Sequence, residues 1–257
     1  PSSKLIGMIP PRKVSLIQLP TPLHRLERMS AELGIELWIK RDDLTGFGGG
    51  GNKGRKLEYL LADVIDKKAD VVVTCGTTQS NFVRQLGAAC AVFNIGCAAA
   101  TMALPYDDSP ATAEALEATG GNVFLDEILG VDLRVYPDGD WDDLYARTEE
   151  LAKEYEARGK KVYRVPIGGS SKLSAFGLYM AGEELRQQSP EPFDWIVFGS
   201  SSGSTHTGLT YAFHGSKTRI LGMSSDPEPD ILEEFAEMGV GLRSEERRVG
   251  KEGRSRW

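Results

Sequence analysis

The sequence is poor in whatever would hold a secreted, membrane-spanning or metal-built protein together. Its 257 residues contain three cysteines, Cys75, Cys90 and Cys97. They are odd in number and sit in apolar surroundings, which predicts buried thiols in a reducing compartment rather than a disulfide framework. No apolar run is long enough to span a bilayer, so no membrane partner is expected. Residues 1–13 lack the apolar stretch of a signal peptide, and a cytoplasmic location is the expectation. The three histidines, His24, His206 and His214, show no ligand spacing with cysteines or carboxylates, and no metal is expected. They read as surface or core side chains, His206 least firmly. Basic charge is in deficit: the net charge of −7 argues against a nucleic-acid partner. There is no internal repeat, no low-complexity linker and no Gly-Lys-Ser/Thr phosphate loop.

A hydrophobic content of 40% and a charged content of 26% are those of a globular chain with a core, in one large domain or two small ones. The organising stretch is Gly48-Gly49-Gly50-Gly51-Asn52-Lys53-Gly54-Arg55-Lys56-Leu57-Glu58. Glycine costs backbone entropy, so four in a row before a helix mark a hinge or a turn where backbone closely approaches a ligand. Lys53 falls at the first helical turn, where the partial positive charge of the helix end disfavours an ammonium. It is either a solvated lysine in a glycine loop or a neutral amine able to form a Schiff base with a carbonyl group. Arg55 and Lys56 are read evenly as a solvated helix face or as functional cations.

Periodicity and turn chemistry give a coarse map. Helices are predicted over 24–33 (stopped by Gly34), 55–67, 80–93, 110–118, 140–158, from the 168–171 loop to 188, and 204–214. Strands are predicted over 36–41, 71–75, 95–101, 122–125, 161–165, 194–198 and 219–223. Strand-turn-helix units in this order imply parallel sheets flanked by helices, with ligands at the C-terminal ends of the strands. Two further loops carry candidate chemistry. In Thr77-Thr78-Gln79-Ser80-Asn81, Ser80 suits an N-cap, and the free N–H groups of the helix end suit a carboxylate. In Gly199-Ser200-Ser201-Ser202-Gly203-Ser204-Thr205, backbone N–H groups, hydroxyls and a helix start suit a phosphate dianion, or the stretch is simply a loop. Asp42-Asp43 reads as a loop pair, not an acid-base dyad, because adjacent side chains point apart.

Thr21-Pro22-Leu23, Ile39-Lys40-Arg41-Asp42-Asp43-Leu44, Gly50-Gly51-Asn52-Lys53, Arg55-Lys56-Leu57-Glu58 and Thr78-Gln79-Ser80-Asn81 come in fixed order. Together they resemble the D-cysteine desulfhydrase and 1-aminocyclopropane-1-carboxylate deaminase family over about residues 16–222. These are pyridoxal-phosphate (PLP) enzymes of the tryptophan-synthase-β-like α/β fold. The resemblance implies two parallel-sheet α/β domains with PLP in the cleft between them: a discontinuous large domain, 1–56 plus 165–242 and incomplete at its C-terminus, and a small domain, 57–164. It implies that Lys53 holds PLP and shuttles the substrate Cα proton, with Asn52 shaping the turn. Ser80 faces the substrate, Asn81 bonds the cofactor's ring oxygen and Gln79 shapes the carboxylate site. Ser202, Gly203, Ser204 and Thr205 hold the phosphate. Gly168-Gly169-Ser170-Ser171 is closer to the desulfhydrase branch. The implied reaction is elimination of sulfide from D-cysteine to pyruvate and ammonia; deamination of 1-aminocyclopropane-1-carboxylate and sulfite release from L-cysteate are the rivals. A homodimer acting on a small amino acid is implied when the protein is full length.

Residues 243–257 break the pattern. They hold five arginines and no hydrophobic period, and resemble a translated sequencing adapter, a basic terminal arm being the alternative. On the adapter reading the tail is non-native, the natural reading frame is cut near Leu242, and the rival to an active enzyme is a truncated, inactive fragment. The first residue is not Met, so processing or incompleteness is expected there too.

Overall fold

The computed structural model describes residues 10–102, 120–137, 139–224 and 235–239. The helix expected over 110–118 and the tail 243–257 lie outside them. The chain divides into two compact units, one made of Val14–Pro22 and Arg41–Gly169, the other of Leu23–Lys40 and the residues flanking these stretches.

The flanking unit opens with β1 (Leu23–Arg25), α1 (Glu27–Leu33) and β2 (Trp38–Lys40). β1 and β2 pair antiparallel, with His24 opposite Ile39. The sequence reading put His24 in a helix; its backbone is instead extended, and the helix begins at Glu27. Met29 and Leu33 of α1 are exposed and Ser30 is its buried position, so helical spacing of apolar residues does not mark the buried face here. Gly34 closes the helix in a left-handed conformation, as its position predicts.

The central unit runs α2 (Lys53–Asp66), β3 (Val71–Thr77), α3 (Asn81–Val92), β4 (Gly96–Met102), α4 (Gly121–Ile128), β5 (Asp132–Tyr136), α5 (Trp141–Ala157) and β6 (Val162–Arg164). Its four parallel strands lie in the order β5-β4-β3-β6. β3 reads Val-Val-Val-Thr-Cys and is buried on both faces, as expected of a central parallel strand. Val71, Val73 and Ala98 pack on Leu151 and Ala152 of α5, and Cys75, Ala100 and Met102 on Leu144. All three cysteines are free and buried. α5 starts on a reciprocal cap: Asp140 accepts from the Asp143 N–H at 2.9 Å and Asp143 from the Asp140 N–H at 3.2 Å.

Residues 122–125 were expected as a strand and are helical, the first turns of α4. Short β-branched and aromatic runs carry no decisive period, and side-chain contacts from Gln79 fix the helix start. β5 has no counterpart in the sequence map. Residues 41–56 cluster with the central unit, whereas the resemblance placed its boundary at 57. Val14 N–H donates to the Glu58 carbonyl and Gln18 N–H to the Thr45 carbonyl, both at 2.9 Å, tying this segment in.

The flanking unit resumes with α6 (Lys172–Gln188), β7 (Trp195–Ser200), α7 (Ser204–Phe213) and β8 (Arg219–Ser224); β7 and β8 are parallel. Ser171 caps α6, accepting from the Ser174 N–H at 3.2 Å. α6 and α7 pack closely through glycines: a Cβ on Gly182 would lie 2.4 Å from the Ala212 Cβ, and one on Gly208 2.5 Å from the Ala175 carbonyl oxygen. Because the Gly208 clash is with backbone, Gly208→Ala is expected to destabilise the chain by about 1–3 kcal/mol. A lowered urea midpoint at unchanged slope checks this; an unchanged midpoint contradicts the close packing.

Candidate functional site

In the central unit the glycine run forms a turn whose backbone excludes side chains. Gly48, Gly49, Gly50 and Gly51 all have positive φ, from 54° to 117°. A Cβ on Gly50 would lie 2.1 Å from the Asp43 carbonyl oxygen. Two polar side chains of α3 grip the turn. Gln85 donates from Nε2 to the Gly50 carbonyl at 3.1 Å and accepts from the Gly54 N–H at 2.9 Å. Arg84 donates from Nη2 to the same Gly50 carbonyl at 3.3 Å. Asn52 is the N-cap of α2, with no side-chain cap bond, and Lys53 is the first helical residue.

The cations here divide sharply. Arg55 is buried and neutralised, donating to Asp42 Oδ1 at 2.7 Å, to Asp42 Oδ2 at 2.8 Å and to Thr21 Oγ1 at 3.0 Å. Asp43 pairs instead with Arg41, so the two aspartates serve separate cations, in keeping with a loop pair. Lys56 is 1% exposed and donates to the Gly168 carbonyl at 3.2 Å. A solvated face is therefore wrong for both residues. Burial lowers the Lys53 amine below its ordinary range. Burial, and then the charge of Lys53, holds Lys56 well below it. Half-buried at a helix N-terminus, Lys53 is shifted toward a neutral nucleophilic amine.

β3 ends at Thr77, and Ser80 caps α3 by accepting from the Val83 N–H at 3.3 Å. That bond uses one lone pair and leaves the hydroxyl proton free to donate. Thr78 Oγ1, two residues earlier, is buried without a hydrogen-bond partner. Gln79 is engaged by the start of α4. Its Nε2 donates to the Gly120 carbonyl at 3.3 Å and its Oε1 accepts from the Asn122 N–H at 2.8 Å, pinning the start of α4. Asn81 Oδ1 accepts from Arg84 Nη2 at 3.3 Å and from Asn122 Nδ2 at 3.1 Å. Arg84 thus joins Asn81 to the turn before Lys53. Arg84, Gln85 and Asn122 were missed by sequence reasoning. The available signal was two long polar residues inside the otherwise apolar Phe82–Cys90 stretch.

In the flanking unit, β7 leads into the second candidate loop. Ser202 accepts from the Ser170 hydroxyl at its carbonyl. Gly203 is left-handed, φ 86°, and caps α7 with no side-chain bond. Ser204 is fully buried, and its hydroxyl has no partner. Thr205 follows in the first turn of α7. His206 lies 3.5 Å from Ser200 Oγ and packs edge-on to Phe198; burial lowers its pKa. An orphaned hydroxyl at an uncapped helix start is an anion-binding arrangement.

Two parallel-sheet α/β units with chemistry-bearing loops at the ends of β3 and β7 define a class of α/β enzyme. The profile of the pyridoxal-phosphate dependent enzyme family matches residues 14–249, and the chain belongs to that family. It is 39% identical over 203 residues to a D-cysteine desulfhydrase of Salmonella paratyphi B, covering 77% of this chain and 58% of that protein. It is 33% identical over 240 residues to the mitochondrial bifunctional D-cysteine desulfhydrase/1-aminocyclopropane-1-carboxylate deaminase of Arabidopsis thaliana, covering 89% of this chain and 58% of that protein. The crystal structure of an ACC deaminase homologue matches with TM-score 0.85 and 32% identity, over 96% of this chain and 73% of that one. The fold is accordingly that of tryptophan-synthase-β-like PLP enzymes. The chain spans 58% of the length of each of the two curated relatives.

Each unit, taken by itself, carries a feature that fits one part of PLP: in the central unit the desolvated Lys53 amine suits the aldehyde, and in the flanking unit the orphaned Ser204 hydroxyl at the uncapped start of α7 suits a phosphate. Among the described residues no cluster of metal ligands occurs and no helix is long and apolar enough to cross a membrane.

Asp126, behind α3, is fully buried, and neither carboxylate oxygen has a hydrogen-bond partner. Burial pushes its pKa up to about 7, against the opposing charge of Arg84. Its pKa is raised on folding, so the folded chain holds a proton that the unfolded chain releases near pH 4. Stability is therefore expected to fall as pH rises from about 4 through about 7. Asp126→Asn should flatten that decline and gain about 1–3 kcal/mol over wild type at pH 8. Parallel denaturation curves for the two proteins decide the matter, equal declines being the contrary result.

Proposed function

We propose that the chain is the PLP-binding part of a lyase of the D-cysteine desulfhydrase type, which takes D-cysteine and water to hydrogen sulfide, pyruvate and ammonia. The observation that carries this reading is Lys53: a desolvated amine at the first position of α2, held by a turn that only glycine can form. Bound PLP supplies the electron sink for a carbanion at the substrate Cα.

The chain's own residues have distinct tasks in this scheme. Lys53 would hold the cofactor through its side-chain amine. The same amine would take the substrate Cα proton, a role that needs a pKa lowered toward neutrality. Ser80 donates its hydroxyl proton to the substrate carboxylate, with the first-turn N–H groups of α3 beside it. Asn81 donates to the ring oxygen. Ser202, Gly203, Ser204 and Thr205 bind the phosphate. Gln79 supports this surface from behind, through Gly120 and Asn122, rather than by touching the substrate. Proton removal at Cα and departure of the β-thiol as sulfide leave an enamine that water hydrolyses to pyruvate and ammonia.

Deamination of 1-aminocyclopropane-1-carboxylate is the second reading, favoured by the double name of the Arabidopsis relative. Both start from the same amine and carboxylate contacts, so product assays separate them: sulfide from D-cysteine against ammonia from the cyclopropane amino acid. A homodimer in the cytoplasm is part of the proposal.

The purified chain mixed with PLP is expected to show a visible absorbance band and, after borohydride reduction, a label on Lys53. Lys53→Ala should keep the fold and lose both. A band that survives in Lys53→Ala would remove the basis of the proposal.

A further inference from the structure

The side-chain amide of Asn81 can face two ways, and its neighbours permit one. A guanidinium only donates, so the atom of Asn81 that meets Arg84 Nη2 at 3.3 Å must be the oxygen. Asn122 reaches the same conclusion independently. Its Nδ2 donates at 2.7 Å to the Gln79 main-chain carbonyl, which only accepts, so that group is an NH2. The same NH2 lies 3.1 Å from Asn81, which again requires the Asn81 oxygen. Two donors on separate helices, α3 and α4, therefore turn the Asn81 oxygen inward and leave its NH2 outward on an exposed side chain. Arg84 is itself held, being 9% exposed, and the same Nη2 binds the Gly50 carbonyl of the turn before Lys53.

We propose that Arg84 and Asn122 are positioning residues that lock the Asn81 amide as a hydrogen-bond donor toward an anionic ligand oxygen, in register with the Lys53 turn. The identity of that oxygen, the cofactor's phenolic oxygen, rests on the PLP reading; the orientation of the amide does not. A donor to a phenolic oxygen favours its ionised form. Without the lock the amide turns over and presents its own oxygen there, which disfavours that form. Asn122 and Arg84 would thus tune the protonation of bound PLP without touching it.

Two measurements test this. In the chain without PLP, Asn81→Asp keeps an acceptor for both donors, whereas Asn81→Ala keeps none. The melting temperature is expected to stay at or above wild type in Asn81→Asp and to fall by roughly 2–4 °C in Asn81→Ala. In an Arg84→Met background the advantage of Asp over Ala should shrink. Equal destabilisation by Asp and Ala would overturn the assigned orientation. In the PLP-loaded chain, the pH midpoint of the visible band is expected to rise by roughly half a unit or more in Asn122→Ala and Arg84→Met, with Arg84→Lys partly restoring it. A midpoint unmoved in both variants would overturn the tuning role, since a merely structural residue would lower stability and leave the titration in place. Absence of any band in the wild-type chain would count against the PLP reading and against tuning of bound PLP, while the melting temperatures still judge the amide lock.

Discussion

The carbonyl of Gly50 is the point on which the Lys53 turn depends. It accepts from Gln85 and from Arg84, two side chains of one helix, while Gln85 returns an acceptor to the Gly54 N–H. A glycine turn alone is floppy, because glycine loses the most backbone freedom on folding. Here that cost is met by buried hydrogen bonds from a helix anchored in the sheet core, and buried bonds are expensive to leave unmade. The lysine is thereby delivered at a fixed position at the start of α2, the turn being tied further by the Gly50 N–H to the Phe47 carbonyl and the Gly51 N–H to the Asp42 carbonyl, both at 2.9 Å.

Charge is distributed to the same end. Of the three cations in the first turn of α2, Arg55 receives a carboxylate and Lys56 receives only a carbonyl. A paired arginine stabilises the loop and stays charged. Burial lowers the pKa of Lys53, and burial with the charge of Lys53 lowers that of Lys56 further. One carboxylate, Asp126, is also buried without hydrogen bonds, which is costly unless it takes up a proton. Such groups lower stability and persist where geometry or chemistry needs them.

The parts of the site written in local sequence were legible. The glycine run, the Ser80 cap and the Ser202-Gly203-Ser204 helix start each depend on residues within a few positions of one another, and turn and capping chemistry reads them directly. The parallel β3 showed itself as a continuous β-branched run. What depends on partners far along the chain was not legible. Arg84 and Gln85 meet residues more than thirty positions away, and Asn122 meets Gln79 and Asn81 across more than forty. Those contacts made a helix of 122–125, where the run Asn-Val-Phe-Leu alone suggested a strand. The extended backbone at His24 has a similar cause, its pairing with Ile39. Arg55 and Lys56 stayed evenly divided between a solvated face and functional cations because composition does not reveal that a helix is covered on that side.

Burial of Lys53 in the first turn of α2 lowers the pKa of its amine below that of an exposed lysine. Competitive acylation of the chain without PLP over a range of pH, with mass mapping of each lysine, measures this directly. The account predicts that Lys53 becomes reactive at lower pH than the exposed lysines on the same chain, and that Gly50→Ala abolishes the difference. Lys53 titrating together with the exposed lysines would contradict it.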